Sequence, residues 1–373
     1  MDASAGEIRR HDDRAEGTPR IWLLLGHKPG DNGQMLALAE ALGWPFEIKR
    51  MVYRPTELLS NLIVKVTLLG IDRARSSPLQ PPWPELVISA GRRNEPVARW
   101  IQRQAEVARA PKVRLVHVGR PWAPTDAFDL IVTTPQYALP QRPNILHTEA
   151  PMHRVSPQRL AEAAAAWEPR LAHLPRPRIT VMLGGHVAPH TFDAAAGAVL
   201  ARQASAMAAE AGGSLLVSTS ARTPAEVVTA FEDNLPCPHL LYRWRRDDPD
   251  NPYFAFLALA ERLVVTSDSM SMLVEAVATG KPVFIFDLAT AGGGSGLALA
   301  PTVRRLVWWL GRRFGPRQLL RDTGAIHRGQ VAAGRAVWLG QPWPSGRNVP
   351  PLGDTARAAA RVRALFAAAA PAG

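Results

Sequence analysis

One cysteine in 373 residues, Cys237, excludes an internal disulfide and a cysteine-built metal cluster, and suits a reducing cytoplasm. Tyrosine is scarce too. None of the four tyrosines has a lysine four positions later, and no GxGxxG is present, so the fingerprint of a Rossmann dehydrogenase or short-chain epimerase is missing. The glycine-containing loop His27–Gln34 does not end in Gly-Lys-Ser or Gly-Lys-Thr, so it is not the nucleoside-triphosphatase loop. Every long apolar run is broken by charge or proline and falls short of a membrane span. Residues 1–20 are polar and lack a signal-peptide core; they are expected to form a disordered tail. Zinc-finger spacing, an aromatic RNA-binding strand and a helix-turn-helix pattern are all absent, so nucleic acid is not the expected partner. No metal site is expected, since Asp247-Asp248-Pro249-Asp250 resembles a metal-binding DxD in composition only.

What is present is enough apolar material for two cores. Hydrophobic residues make up 47% of a chain whose length exceeds the usual single domain. Lys and Arg outnumber Asp and Glu by 44 to 32, a net charge of +12 that favours polyanionic substrates or anionic surfaces without choosing between them.

Apolar runs alternate with helical patterns throughout, the signature of an α/β fold with parallel strands. Ile21–Gly26 reads as a strand, His27–Gln34 as a glycine-containing loop, and Met35–Leu42 as a helix. Gly26, Gly30 and Gly33 would let backbone N–H groups approach a ligand, and Asn32 or Gln34 could cap or reach it; a purely structural turn is the other reading. His27 and Asp31 are the polar pair here able to trade a proton. Leu58–Leu69, beside Arg54, Lys65, Arg73 and Arg75, reads either as a buried domain helix or as an apolar face for an anionic membrane. Leu86–Ser89 is a strand ending in Ala90-Gly91-Arg92-Arg93-Asn94, with Arg92 and Arg93 available to an anion, Asn94 as a cap, and Pro96 starting the helix.

The Ala-rich helix Leu160–Trp167 and the proline-rich stretch to Pro177 mark the domain boundary, giving domains of 21–170 and 178–345. The second series opens with Ile179–Leu183 and Gly184-Gly185-His186, then Ser214–Ser218 ending in Thr219-Ser220-Ala221-Arg222. Leu263–Leu288 is a strand ending in Thr266-Ser267-Asp268, a helix closed by Gly280, and a further strand from Pro282. Small polar residues at a strand's carboxyl end before a helix N-terminus suit a phosphate or ribose. Thr290–Gly296 is a candidate mobile loop, and Thr302–Phe314 is either a packed helix or an interfacial one. The stretch 355–370 is a terminal helix of the kind that crosses back to the first domain.

Four segments carry a family resemblance: GHKPGDNGQ at 26–34, SAGRRNEPVA at 89–98, MLGG at 182–185 and TSDSMSMLVEAVATGKPV at 266–283. They resemble bacterial members of the family named after the plant mitochondrial-fission factor, the elongated-mitochondria protein. That resemblance implies two Rossmann-like domains facing a cleft, the GT-B-like architecture of glycosyltransferases. It assigns nucleotide-sugar binding to Gly184, Gly185, Ser220, Arg222, Ser267, Asp268, Ser269, Met270 and Glu275, with Glu275 on the donor ribose. Acceptor or anion binding falls to Gly30, Asn32, Gly33, Gln34, Arg92, Arg93 and Asn94, and catalysis to Asp31 or His27. Without the resemblance, Glu275 reads equally as a solvent-facing helix residue, Asp268 as an N-cap, and Met270 as core filling.

The expected activity is therefore inverting, metal-independent transfer from a nucleotide-diphosphate sugar, used as substrate with no cofactor, to a cell-envelope or lipid-linked acceptor. Arg222, Lys281 and the backbone at Gly185 and Ser269 would stabilise the departing diphosphate. The alternative is a non-enzymatic peripheral-membrane module of the same fold, as the plant members suggest. The expected location is the cytoplasm, or the inner face of the cytoplasmic membrane.

Overall fold

The computed structural model describes residues 18–54, 66–186, 191–290, 322, 324–344, 346 and 349–367. The expected tail up to residue 17, most of Leu58–Leu69, and the segments Thr290–Gly296 (beyond its first residue) and Thr302–Phe314 lie outside them. The described residues form two compact units: 18–54, 66–154, 322 and 352–367, and 155–186, 191–290, 324–344, 346 and 349–351.

In the first unit, β1 (Ile21–Leu25), β2 (Phe46–Arg50), β3 (Leu86–Ala90), β4 (Arg114–Val118), β5 (Leu130–Thr133) and β6 (Ile145–His147) form one sheet in the order β2-β1-β3-β4-β5-β6. All pairings are parallel. A parallel sheet buried on both faces needs continuous apolar strands, and IWLLL and LVISA supply them. Alternate residues serve opposite faces. Leu23, Leu25 and Ile88 meet Met35, Leu38 and Leu42 of α1 (Pro29–Leu42) together with Ala358 and Val362 of the last helix, Asp354–Ala367. Trp22, Leu24 and Val87 meet Val97, Ala98 and Ile101 of α2 (Gly91–Val107). The last helix is fixed by Asp354, whose carboxylate accepts from the Glu149 and Ala150 N–H groups, both at 3.0 Å.

Two boundaries differ from the sequence reading. Helix α1 begins at Pro29, so Gly30 to Gln34 are helical rather than loop. Proline at the first helical position loses no hydrogen bond there, and the first-turn Asp31 complements the helix dipole. Helix α2 begins at Gly91, at φ 71°, and carries Pro96 inside it. Arg92, Arg93 and Asn94 are therefore first-turn residues of α2.

The second unit holds β7 (Arg178–Met182), β8 (Ser214–Ser218), β9 (His239–Tyr242), β10 (Arg262–Thr266), β11 (Val283–Phe286) and β12 (Val337–Trp338), ordered β12-β11-β10-β7-β8-β9 and parallel throughout. The short β9 and β12 carry too little pattern to stand out in the sequence. On one face, α4 (Ala194–Glu210) and α5 (Ala225–Glu232) pack through Leu200, Ala204, Val227 and Phe231. On the other, α3 (Pro157–Leu171) packs with α6 (Tyr253–Leu259) through Leu171, Trp167 and Phe256. Helix α3 thus packs in the second unit, whereas its position before the proline-rich stretch had placed it in the first. It is held there by the buried Arg178, which pairs with Glu168 at 3.0 Å and donates to the Leu171 carbonyl at 2.7 Å. Helices α7 (Met270–Val277), α8 (Gly324–Ala332) and α9 (Asp354–Ala367) complete the chain.

Among the described residues, no helix is long and apolar enough to cross a membrane.

Candidate functional site

Each sheet reverses its order once. In the first unit the reversal falls between β1 and β3; in the second it falls between β7 and β10. Crevices at the carboxyl ends of such strands are where open α/β sheets take their ligands. The expected site residues cluster at these two places, one in each unit.

At the second unit's reversal, β7 runs into Leu183-Gly184-Gly185 and β10 into Ser267-Asp268-Ser269. The two turns are tied through Asp268. Its Oδ2 accepts from the Gly185 N–H at 2.7 Å and from Arg222 Nη2 at 2.9 Å, and its Oδ1 accepts from the Thr266 hydroxyl at 2.6 Å. The Gly184 N–H donates to Thr266 Oγ1 at 2.9 Å. A Cβ on Gly184 would overlap the Asp268 carboxylate, so glycine here makes room for that side chain. Burial pushes the Asp268 carboxyl above its ordinary range, against the Gly185, Thr266 and Arg222 donors that lower it. The side chain of Asp268 is 0% exposed and that of Arg222 52%.

The neighbouring residues divide by what they touch. Ser269, not Asp268, caps α7: its hydroxyl accepts from the Met272 N–H at 3.4 Å. Ser267 Oγ accepts from the Leu288 N–H at 3.1 Å, and Ser220 Oγ from the Arg222 N–H at 3.2 Å, so both hold their turns. Met270 is buried, as its reading as core filling expects. Glu275 accepts a 2.6 Å hydrogen bond from the Tyr253 hydroxyl at the start of α6. Lys281 Nζ donates to the Leu257 and Ala258 carbonyls, at 2.9 and 2.5 Å, at the end of α6.

In the first unit, Gly26 and the starts of α1 and α2 meet at the β1–β3 reversal. Asn32 bonds both polar groups of Gly26, accepting from its N–H at 3.0 Å and donating to its carbonyl at 2.8 Å. Asn94 does not cap α2. It donates to the Leu24 and Ala90 carbonyls, at 2.6 and 3.2 Å, and accepts from the Tyr53 hydroxyl. Both asparagines therefore position backbone. His27 lies 3.0 Å from Arg93 Nη1, and burial first, then the Arg93 and Lys28 charges, lower its pKa. Asp31 borders Gly91, whose added Cβ would stand 3.2 Å from Asp31 Oδ2. Arg92 lies over the Trp122 ring at 5.4 Å and Arg93 over Tyr53 at 5.7 Å. Gly33 has open space around it.

The sequence reading did not assign several residues of these clusters. Glu95 is buried and accepts from the Trp122 and Ala123 N–H groups at 2.7 and 2.8 Å, fixing the turn after β4. Thr266 and Tyr253 hold Asp268 and Glu275. Thr266 was visible as the last residue of its strand; nothing in the sequence marks Tyr253. Among the described residues, no group of three or more His, Cys, Asp or Glu could hold a metal ion.

These two reversals on two doubly wound sheets define a GT-B-like protein, the fold class shared by glycosyltransferases and nucleotide-sugar epimerases. A solved UDP-GlcNAc 2-epimerase from Methanocaldococcus jannaschii superimposes with a TM-score of 0.51 at 11% identity, covering 93% of this chain and 99% of that one. A UDP-GlcNAc 2-epimerase from Neisseria meningitidis gives 0.46 at 11% identity over 94% and 100% of the two chains. The family model described as mitochondrial fission ELM1 matches residues 29–366, and the chain belongs to that family. It is 26% identical to the mitochondrial fission protein ELM1 of Arabidopsis thaliana over 331 residues, 82% of this chain and 69% of the plant one.

Proposed function

We propose that the chain is a glycosyltransferase that binds a nucleotide-diphosphate sugar at the β7–β10 reversal and passes the sugar, with inversion and without a metal, to a cell-envelope or lipid-linked acceptor. The observation that carries this reading is the grouping, at one sheet end, of a Gly-Gly turn, the capped start of α7, an exposed arginine and a carboxylate about one and a half helical turns further on. Glu275 would take the ribose hydroxyls, which a carboxylate accepts well. Arg222 and the first-turn N–H groups of α7 would neutralise the departing diphosphate. Lys281 has no part in this, because its ammonium is committed to α6.

The base that removes the acceptor proton would be His27 or Asp31. His27 is favoured by its lowered pKa, which leaves the ring unprotonated near neutral pH, the state a base requires. Arg92 and Arg93, beside it, would orient an anionic acceptor such as a lipid-linked phosphate.

The fold is shared with an enzyme named as a UDP-GlcNAc 2-epimerase, so the missing GxGxxG and Tyr-x-x-x-Lys do not separate transferase from epimerase. A non-enzymatic reading is suggested by the plant relative's name as a mitochondrial fission protein, and an anionic-membrane surface by the net charge of +12. One set of measurements separates the three: calorimetric titration with UDP, GDP and ADP, analysis of sugar-nucleotide turnover products, and sedimentation with anionic vesicles. Nucleotide binding with transfer or hydrolysis of the sugar supports the transferase, a C2-epimerised sugar nucleotide supports the epimerase, and vesicle binding with no nucleotide response removes both enzymatic readings.

A further inference from the structure

In the Gly184–Gly185 turn the donors that a phosphate would use are already engaged by a carboxylate. The Gly185 N–H and the Arg222 guanidinium both donate to Asp268 Oδ2, at 2.7 and 2.9 Å, and the Thr266 hydroxyl donates to Oδ1 at 2.6 Å. The fit is steric as well as electrostatic, since a Cβ on Gly184 would overlap the carboxylate. A glycine turn at a switch point ordinarily admits the backbone to a ligand's phosphate. Here that space is filled by the chain itself.

We propose that Asp268 is an internal anion occupying the phosphate cradle, so that a ligand diphosphate engages Gly185 and Arg222 only by displacing or out-competing its carboxylate. This rests on the reading of the turn as a diphosphate site, and it adds how that site's affinity is set. The two partners are unequal: the Asp268 side chain is enclosed, whereas more than half of the Arg222 side chain is in solvent. Arg222 can therefore reach an incoming phosphate while staying in solvent, but doing so leaves Asp268 as a buried negative charge without its ion-pair partner and next to a second anion. Like charges at that range oppose one another strongly where water is excluded. Burial already disfavours the ionised carboxylate, so proton uptake by Asp268 would accompany ligand entry.

Asp268→Asn tests this with the geometry kept, since an amide oxygen can still accept from the Gly185 N–H. Asp268→Ser, which keeps a smaller acceptor, is the second variant in case the amide perturbs folding. Inorganic pyrophosphate and UDP are titrated separately into wild type and variants. The expected result is pyrophosphate and UDP binding tighter by about tenfold or more in the neutral variants. Tighter pyrophosphate binding with no nucleotide response in any form leaves the internal anion standing and removes the nucleotide-sugar reading. Pyrophosphate binding that is unchanged, weaker or undetectable in the folded variants overturns the proposal, while UDP binding decides the functional reading on its own. A measurement on the unaltered chain covers the case in which neither variant folds: saturating pyrophosphate should shift the Asp268 carboxyl-carbon and Gly185 amide resonances, and unmoved resonances overturn the proposal.

Discussion

Tyr253 donates its hydroxyl to Glu275 across two helices of the second unit, Oη to Oε2 at 2.6 Å, and so aims the carboxylate proposed for the ribose. Burial, then the Glu275 charge, hold the tyrosine well above its ordinary pKa, so it stays a donor at any physiological pH. Glu275→Ala should weaken nucleotide binding by about tenfold or more. Tyr253→Phe keeps the carboxylate but frees its rotamers, and should weaken binding by a smaller factor, about three- to tenfold. Calorimetric titration of UDP into both variants checks the order. Equal affinity of Glu275→Ala and wild type would remove Glu275 from the ribose.

Lys281 yields the opposite expectation. Its ammonium closes the carboxyl end of α6 by donating to two carbonyls, and its half-buried position lowers its pKa by desolvation. Lys281→Met should therefore destabilise the fold by about 1–2 kcal/mol, the scale of lost charge-assisted bonds at a helix end. Nucleotide affinity should be unchanged. Urea denaturation and titration of the same preparation test both halves, and a loss of affinity without a loss of stability would return Lys281 to the anion site.

The contrast between Lys281 and Glu275 shows what the sequence carries. The strand–turn–helix order and the Gly184–Gly185 turn were legible because apolar periodicity and small polar residues are local signals. The helix starts at Pro29 and Gly91 were less so. Gly30, Gly33 and Gly91 favour loops by intrinsic propensity, and packing of Met35, Leu38 and Val97 on the sheet overrides that preference. Side-chain roles were least legible. Asn32 and Asn94 look like ligand groups beside a glycine turn, yet each spends its amide on nearby backbone, a choice set by contacts as far away as Leu24. Tyr253 and Glu275 stand 22 positions apart, and only the fold, which brings the start of α6 within hydrogen-bond reach of α7, joins them.

His117, fully buried on β4, pairs its Nδ1 with Ser89 Oγ at 3.0 Å and lies beside the Phe128 ring. Burial lowers its pKa to about 3. A folded pKa below the unfolded value of 6.5 means that the unfolded chain takes up a proton first as pH falls. The stability held by the neutral ring is complete above pH 6.5 and is lost as pH drops toward 3, at about 1.4 kcal/mol per pH unit. His117→Asn keeps a partner for Ser89 and has no such group. Urea denaturation between about pH 6.5 and 5, above the range where most carboxylates titrate, should show a slope smaller in the variant by about half a proton at the upper end, rising to nearly one at the lower. Equal slopes would mean that the ring is protonated in the folded chain.

Gly185 and Gly213 allow stability and site function to be separated. Each lacks room for a side chain: a Cβ on Gly185 would overlap the Arg222 carbonyl oxygen, and one on Gly213 the Pro177 carbonyl oxygen. Both obstacles are backbone, so no rotamer change relieves them, and alanine at either position should destabilise by about 1–3 kcal/mol. Their places on the sheet differ. Gly213 precedes β8, at the amino ends of the strands, while Gly185 follows β7 at the carboxyl ends, where its N–H meets Asp268. Gly185→Ala must move the turn that carries Arg222, and should reduce UDP affinity by about tenfold. Gly213→Ala should lower the melting temperature comparably and leave UDP affinity intact. Equal affinity losses in the two variants would mean that binding follows global stability, and the Gly184–Gly185 turn would then lose its claim to the diphosphate.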